Sequence, residues 1–477
     1  MKINIRIPIQ FIFIFGVLGS IVFPFTFLST SCTKMHPVNP YDSIPVVIID
    51  TTAGAEIDLS TVTGQPTYCA SGFLWSLSYD EPHDSLLLPL KVQLFRSRIT
   101  PWRVQTGLGS ILRMAEVAPR IQIVLSDEYN LRFPYKPPPS NAGSTSFFYS
   151  NITSWPGDNG DYSLWEDVIE EAYLLFDSKG IDVEWDLWEE PNWHGWWAPS
   201  QQRFFEAWKV GVQKLKSLDS DAVIVGPSVS GFKEQYLKDF LSYAKEHDVL
   251  PDVLSWHEIH NNHNPTEIPG NVETMKGFMA EKGISIEKFD INEVVAPKWQ
   301  TNPGIHVWYI ANMEEAGVYG ACKATWRDED EDVYNAGVPT LGGFLNYPDL
   351  SPRPTWWVMK AYADITGNLV KVMPDSTMEG VAGIDDETQE VRILLGRYRY
   401  GSDDDVVKIR KLQTVSWLAG LDSVHVVVNH IPNKGWEPLA APVEILNGLV
   451  EVQRNTVRLN FKEFDHNDAL EIIISAP

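Results

Sequence analysis

The sequence predicts an α/β fold, a (β/α)8 barrel with an accessory β-sandwich, and three observations carry that expectation. The first is an alternation of short apolar runs and helical stretches between residues 67 and 368. The second is a change of texture after residue 368, where apolar and polar residues alternate and Gly, Asn and Asp interrupt them. The third is length: 477 residues leave room for roughly two to four domains. The apolar runs are Tyr68–Leu74, Val92–Phe95, Ile121–Leu125, Ile181–Leu187, Ala222–Val225, Val253–Trp256, Phe289–Ile291 and Gly317–Ala324, eight strand candidates. Between them Trp165–Ser178, Gln201–Ser217, Gln235–His247 and Val272–Lys282 read as helices. Buried strands alternating with helices argue for a parallel sheet covered by helices, and eight such units for a closed barrel. Leu131–Gly160 is rich in Pro, Ser, Gly and Asn and reads as a long loop on the face where functional loops lie.

In the tail, Val391–Tyr400, Ser423–Asn429, Val443–Leu446, Leu449–Gln453, Val457–Phe461 and Leu470–Ser475 read as sandwich strands. Val46–Asp50 and Glu56–Leu59 are expected to join them from the N-terminal side. The predicted organisation is a leader over 1–31, a tether with N-terminal strands over 32–66, a barrel over 67–368 and a sandwich over 369–477.

The leader has a positive start, Lys2 and Arg6, an apolar run from Ile7 to Leu28, and the small residues Ser29-Thr30-Ser31 before Cys32. Those are the parts of a secretory signal, and a Cys after small residues resembles a bacterial lipoprotein box. The expectation is an exported chain, lipid-anchored through Cys32 to a bacterial membrane, the outer one, and facing the periplasm or the cell surface. An uncleaved anchor is the alternative, since the run is long enough to span. Beyond Cys32 only Cys69 and Cys322 remain, either paired or buried as free thiols.

The net charge is −25, from 38 basic and 63 acidic residues. Such a surface repels phosphate backbones and excludes nucleic acid as a partner. The membrane is reached only through the lipid. No cofactor and no metal are expected, and the sequence does not specify an oligomeric state. Eighteen Trp residues stand out. Buried core and sugar-stacking platforms both use indole rings.

Two segments carry chemistry. In Trp185-Asp186-Leu187-Trp188-Glu189-Glu190-Pro191-Asn192-Trp193 a strand ends in carboxylates and is stopped by Pro. In Phe289-Asp290-Ile291-Asn292-Glu293-Val294 a second strand ends in a carboxylate. These are the fourth and seventh barrel strands, and C-terminal strand ends face a barrel's active site. Two carboxyls across one mouth are what retaining glycoside hydrolysis needs, one to protonate the leaving oxygen and one to attack the anomeric carbon.

Glu190-Pro191-Asn192 and Glu293, in this order and context, resemble clan A glycoside hydrolases, and more closely family 39, which holds β-xylosidases and α-L-iduronidases. Val225-Gly226-Pro227, Asp252-Val253-Leu254-Ser255-Trp256-His257, Gly342-Gly343-Phe344-Leu345 and Pro352-Arg353-Pro354-Thr355-Trp356-Trp357 are similar to the family's fifth strand, sixth strand and approach to the last helix. The resemblance implies Glu190 as general acid/base and Glu293 as nucleophile. It implies substrate contacts from Glu189, Asn192, Trp193, His257, Trp326 and Arg96, with Arg96 holding Glu293 ionised. Trp188, Trp193 and the charge of Glu189 are expected to keep the Glu190 carboxyl protonated. Trp193, Trp196 and Trp197 read as loop aromatics, at least one a sugar platform.

The chain departs from the family at Glu189, where an Asn usually stands. A carboxylate accepts from a sugar hydroxyl but does not donate as an amide does. His260 stands beyond the sixth strand where relatives often place a Tyr at the nucleophile. The acidic run Asp328–Asp332 reads as a solvated loop that disfavours strongly anionic sugars at that rim. The expected function is retaining hydrolysis of polysaccharide-derived glycans. The alternatives are an endo-glycanase or arabinosidase, or a carbohydrate-binding surface lipoprotein with a degenerate barrel.

Overall fold

The computed structural model describes residues 54–99, 107–134, 149, 151–328, 335–398, 404–462 and 465–477. The leader, Cys32, Val46–Asp50, half of the Leu131–Gly160 segment and most of Asp328–Asp332 lie outside them. Among the described residues no helix is long and apolar enough to cross a membrane.

Strand β1 (Glu56–Gly64) comes first, followed by β2 (Gly72–Leu74), helix α1 (Asp84–Leu87), β3 (Leu94–Ser97), α2 (Leu108–Val117), β4 (Arg120–Val124) and α3 (Leu125–Asn130). Then come α4 (Ser163–Asp177), β5 (Glu184–Asp186), α5 (Gln201–Leu218), β6 (Val223–Val229), α6 (Glu234–Glu246) and β7 (Val253–Glu258). The barrel ends with α7 (Ile268–Lys282), β8 (Lys288–Val294), α8 (Pro303–Ala316), β9 (Gly320–Lys323) and α9 (Pro354–Asp364). Strands β2 to β9 pair in sequence order, all parallel, and β2 closes on β9. All eight strand candidates are therefore present, though β2, β5 and β9 are shorter than their apolar runs. Gly317 in the last run is instead the left-handed cap of α8, at φ 66°. Helix α3 starts directly at the end of β4, where apolar residues were expected to continue the strand.

Local chemistry sets the helix ends. Ser200 caps α5 by accepting the Arg203 N–H, and Asn302 caps α8, accepting from Ile305 with Pro303 at the first helical position. Gly226 in β6 is required by packing. A Cβ there would lie 2.4 Å from the Trp208 ring of α5, so helix and strand approach closely below the site.

The remaining strands are β10 (Asn368–Met373), β11 (Met378–Asp385), β12 (Glu390–Arg397), β13 (Asp404–Arg410), β14 (Ser423–Ile431), β15 (Val443–Glu451), β16 (Thr456–Lys462) and β17 (Ala469–Ser475). With β1 they form one nine-stranded sheet in the order β15-β14-β17-β12-β11-β10-β1-β13-β16. β1 runs antiparallel to β10 and parallel to β13. Two runs read as separate strands, Val443–Leu446 and Leu449–Gln453, are one strand, because Asn447-Gly448 stays extended opposite Val427 and Val426. Ile57, Val370, Ile393, Val407, Val426, Leu459 and Ile472 share one apolar core. The sheet is tied to the barrel through α8: Trp308 Nε1 donates to the Gly396 carbonyl at 2.8 Å, and Gly304 N to the Asn467 carbonyl at 2.8 Å.

Cys69 and Cys322 are free and buried. Burial pushes both thiols up, Cys322 well above its ordinary value, so both are inert packing residues.

Candidate active site

Four strand ends meet over the barrel mouth. Arg96, on β3, is fully buried and spends its whole guanidinium on carboxylates. Nε donates to Asp186 Oδ2 at 2.9 Å and Nη1 to Glu293 Oε1 at 2.8 Å, while Nη2 donates to Glu189 Oε2. Arg is the residue suited to this because its five donors are held in a rigid fork. Asp186 also accepts from Ser228 Oγ at 2.9 Å and from Asn292 Nδ2 at 3.0 Å. His257, on β7, places Nδ1 2.8 Å from Glu190 Oε1 and 3.9 Å from Glu293 Oε2. One nitrogen within reach of both oxygens brackets the two carboxyls within about 7 Å. Glu190 and Glu293 keep 4% and 8% exposure, so both sit at the boundary between core and mouth.

The backbone is strained here. Trp75 (φ 51°), Glu190 (φ 39°), Ser228 (φ 52°) and Val295 (φ 74°), none of them glycine, have left-handed backbone at or just past barrel strand ends. Each such residue costs roughly 1–3 kcal/mol and is kept only where its surroundings demand it. Glu190 N donates to the Ser228 carbonyl at 3.1 Å, which turns its side chain toward His257 rather than along the strand.

Four buried carboxyls, Asp186, Glu189, Glu190 and Glu293, face two possible cations. Burial drives the Glu189 carboxyl well above the ordinary range, against the pull of Arg96. Burial also raises Glu293, although His257 and Arg96 oppose it. Burial pushes Glu190 up too, but the hydrogen bond and charge of His257 outweigh it and leave Glu190 below its ordinary value. For His257 burial works against the charged form. The Glu293 charge and the bond to Glu190 prevail and take it up to about 9.

Several expectations are corrected. Glu190 is not held protonated by Trp188 and Trp193. Trp188 packs away from it in an aromatic core with Tyr129, Trp165 and Trp197, and His257 supplies the nearest charge. Arg96 does pair with Glu293, but burial outweighs that pairing. Arg96 and His257 are fully buried, so neither opens directly on the mouth, and each bonds the carboxyls beside it. His260 does not meet Glu293: its Nε2 lies 3.2 Å from Ser230 Oγ, on the Glu190 side. Of the three loop aromatics Trp197 is 2% exposed and belongs to the core, while Trp193 and Trp196 are half-buried. Asn192 uses its amide on the Ser230 backbone, accepting at 2.7 Å and donating at 3.2 Å. Trp326 is half-buried at the rim, its Nε1 bonded to the Val295 carbonyl at 2.9 Å. Asp328 pairs with the buried Arg353 at 2.9 Å.

Sequence reasoning did not single out Asp186, Ser228 and Asn292. The signal was present in Trp185-Asp186-Leu187 and Asp290-Ile291-Asn292, polar residues inside otherwise apolar strands. Glu189, Glu190 and His257 are also the donors, among the described residues, whose ligand atoms lie within 4.8 Å of one another. Arg96 on Glu189 and His257 on Glu190 already occupy lone pairs that a cation would need.

The model of glycosyl hydrolases family 39 matches residues 129–297, the segment that carries both Glu190 and Glu293. The chain is 25% identical over 332 residues to a 3-O-alpha-D-galactosyl-alpha-L-arabinofuranosidase of Bifidobacterium longum subsp. longum, covering 62% of this chain and 28% of the relative. It is 28% identical over 136 residues to a beta-xylosidase of Geobacillus stearothermophilus, covering 27% of this chain and 26% of the relative. The chain thus spans less than a third of the length of the curated relatives it matches first. Among solved structures, N2152 from Neocallimastix frontalis superposes with a TM-score of 0.72 at 21% identity, over 89% of this chain and all of that one. A monomeric beta-xylosidase from Caulobacter crescentus CB15 superposes with a TM-score of 0.60 at 14% identity, over 89% and 99% of the two chains. The barrel with an appended β-sheet is shared with these, and the chain is a family 39-like relative of the glycosyl hydrolases.

Proposed function

We propose that the protein is a retaining glycoside hydrolase acting on polysaccharide-derived glycans, with Glu190 as general acid/base and Glu293 as nucleophile. The observation that carries this reading is the shared His257 nitrogen, 2.8 Å from Glu190 and 3.9 Å from Glu293. Retention needs carboxyls about 5–5.5 Å apart, whereas inversion needs roughly 6.5–9.5 Å to seat a water. The bracket of about 7 Å leaves little of the inverting range. The names of the curated relatives, arabinofuranosidase and beta-xylosidase, favour a pentose-containing glycan. Export and anchoring through Cys32 complete the proposal, and mass spectrometry of the mature N-terminus tests them.

The proton of the acid step resides, before substrate binds, on His257. Glu293 sustains that charge across 3.9 Å. As Glu293 attacks the anomeric carbon its negative charge passes into the new glycosyl–ester bond. His257 then loses its counter-charge and releases its proton to Glu190 Oε1. Glu190 delivers that proton to the departing glycosidic oxygen, so bond breaking and charge neutralisation proceed together. Water, deprotonated by Glu190, then hydrolyses the ester.

A panel of aryl glycosides tests the reading. Wild type turns over at least one, and Glu190→Gln lowers kcat by roughly 10²–10⁴. Azide restores turnover to Glu293→Gly with an inverted product. A second reading, a carbohydrate-binding protein without turnover, is favoured by the depressed Glu190 carboxyl and by Glu189 in place of an amide. It prevails if wild type and Glu190→Gln bind sugar equally and neither hydrolyses any glycoside.

A further inference from the structure

A groove of about 510 Å³ opens beside the carboxyls, where the loops after β7 and β8 meet the C-terminal sheet. Asn262 and His263 line it from the first loop, Lys298 and Trp299 from the second, and Tyr398 and His466 from the sheet. Side-chain contacts link it to the candidate active site. His260, against Ser230, packs its ring edge-on to His263 at 5.0 Å, and His263 Nδ1 lies 2.9 Å from the buried Glu258.

Its chemistry differs from the rest of the surface. The chain carries 63 acidic residues, yet no Asp or Glu is among the described residues that line this groove. What lines it is an exposed ammonium, two imidazoles, Asn amides and two aromatic rings. Trp299 and Tyr398 meet edge to face at 4.9 Å, and Lys298 Nζ sits 4.2 Å from the Trp299 ring. The Trp299 indole N–H is buried with no hydrogen-bond partner among the described residues. Aromatic faces suit the apolar side of a pyranose, amides suit its hydroxyls, and an ammonium that no carboxylate of the groove neutralises suits an anion.

We propose that this groove is a second carbohydrate site, which takes a sugar unit carrying a carboxylate, a uronic acid, of the glycan held at Glu190 and Glu293. It deepens the proposed function and rests on it for the identity of the glycan. The site selects a single uronate rather than a polyanion. Among the described residues that line it, Lys298 is the one full cation.

The full chain with Glu190→Gln is titrated with methyl β-D-glucuronide and methyl β-D-glucoside, which differ only at C6, by saturation-transfer NMR. The same comparison is made with xylotetraose with and without a glucuronate branch. The glucuronate form is expected to bind about threefold more tightly, as befits one exposed ion pair. Lys298→Met should abolish the preference and leave the neutral ligand unchanged. Trp299→Ala should weaken both. Equal affinity for both members of each pair, or a preference that survives Lys298→Met in a variant with wild-type melting temperature, overturns the proposal. Hydrolysis is read separately. A chain that cleaves neutral glycosides but ignores the carboxylate overturns the groove alone. A chain that shows the Lys298-dependent preference but cleaves nothing overturns the glycosidase reading and keeps the groove.

Discussion

Among the described residues an arginine cluster stands at each end of the barrel. At the bottom Arg120 opens β4 and donates to Glu184 at 2.7 and 2.8 Å and to Asp290 at 2.6 Å, while Gln122 bonds the same two carboxylates. Its guanidinium lies 3.8 Å from the Tyr319 ring centre. At the mouth Arg96 serves Asp186, Glu189 and Glu293 at once, with Glu190 and His257 beside them. The bottom cluster sits on regular strands: Gln122 and Glu184 are register partners. Around the mouth cluster the backbone is left-handed at Glu190, Ser228 and Val295. Both ends have two acids for each possible cation, one for two at the bottom and two for four at the mouth, but only the mouth sets that surplus on left-handed backbone. A surplus of buried negative charge on strained backbone is a poor way to hold a barrel together. It is a good way to hold protons where a reaction needs them.

The largest expected effects come from removing each arginine. Arg96→Met leaves three buried carboxylates without their donor and should cost about 3–5 kcal/mol in urea unfolding, together with all detectable turnover. Arg120→Met should fall at the low end of that range, because Arg120 is partly exposed and Gln122 still reaches both acids. In the folded fraction its kcat should stay within a factor of about two. If Arg120→Met reduces kcat as far as Arg96→Met does, the division of labour between the two ends is wrong.

The two ends should also titrate apart. Burial lifts Asp290 to about 6, so its folded form holds a proton that the unfolded chain has lost. That stability is full at low pH and fades as pH rises through about 6. His257 stands at about 9. Its contribution is full below the ordinary imidazole value and is lost as pH rises through about 9. Each titration changes stability by at most about 1.4 kcal/mol per pH unit. The contributions of these two groups to melting temperature should therefore decline in two separate windows. His257→Gln should flatten the upper one and Asp290→Asn the lower. Turnover should fall above pH 9 along with the upper window, because in the proposed mechanism the proton on His257 is the one Glu190 delivers. An alkaline limb that stays in place in His257→Gln would remove His257 from the proton path.

The barrel was legible because its strands are buried on both faces and read as plain apolar runs. Gly317 marked a helix end rather than a strand, and only the left-handed φ of its cap shows that. In the sheet, β10, β11 and β13 were not recognised, since Asn368–Met373 and Asp404–Arg410 interleave charge with apolar residues too briefly to stand out. Glu190 and Glu293 were visible because carboxylates followed apolar strands at the right ends. Their protonation was not visible. It depends on His257, 67 positions from Glu190 in sequence, and on burial, which no local pattern encodes. The Trp excess was read as a sugar-binding loop. Trp165, Trp188 and Trp197 instead build the aromatic core beneath that loop, and a row of indoles in sequence does not reveal which way each ring turns.

The smallest expected effect bears on the departure that set this chain apart, Glu189. Burial pushes its carboxyl well above the ordinary range, against the pull of Arg96, and wherever it carries its proton it has one O–H donor and one carbonyl acceptor. In that form it matches the shape and hydrogen bonding of a glutamine and still accepts from Arg96 Nη2. Glu189→Gln should therefore change stability by no more than about 0.5 kcal/mol and leave turnover near wild type at neutral pH. Glu189→Ala, which strands one guanidinium N–H in the core, should cost about 1–3 kcal/mol. If Glu189 were instead ionised, Glu189→Gln would remove a charge that helps sustain His257, and the alkaline limb of turnover would move to lower pH. An unmoved limb in Glu189→Gln, with stability preserved, identifies Glu189 as a neutral stand-in for the amide that its relatives carry.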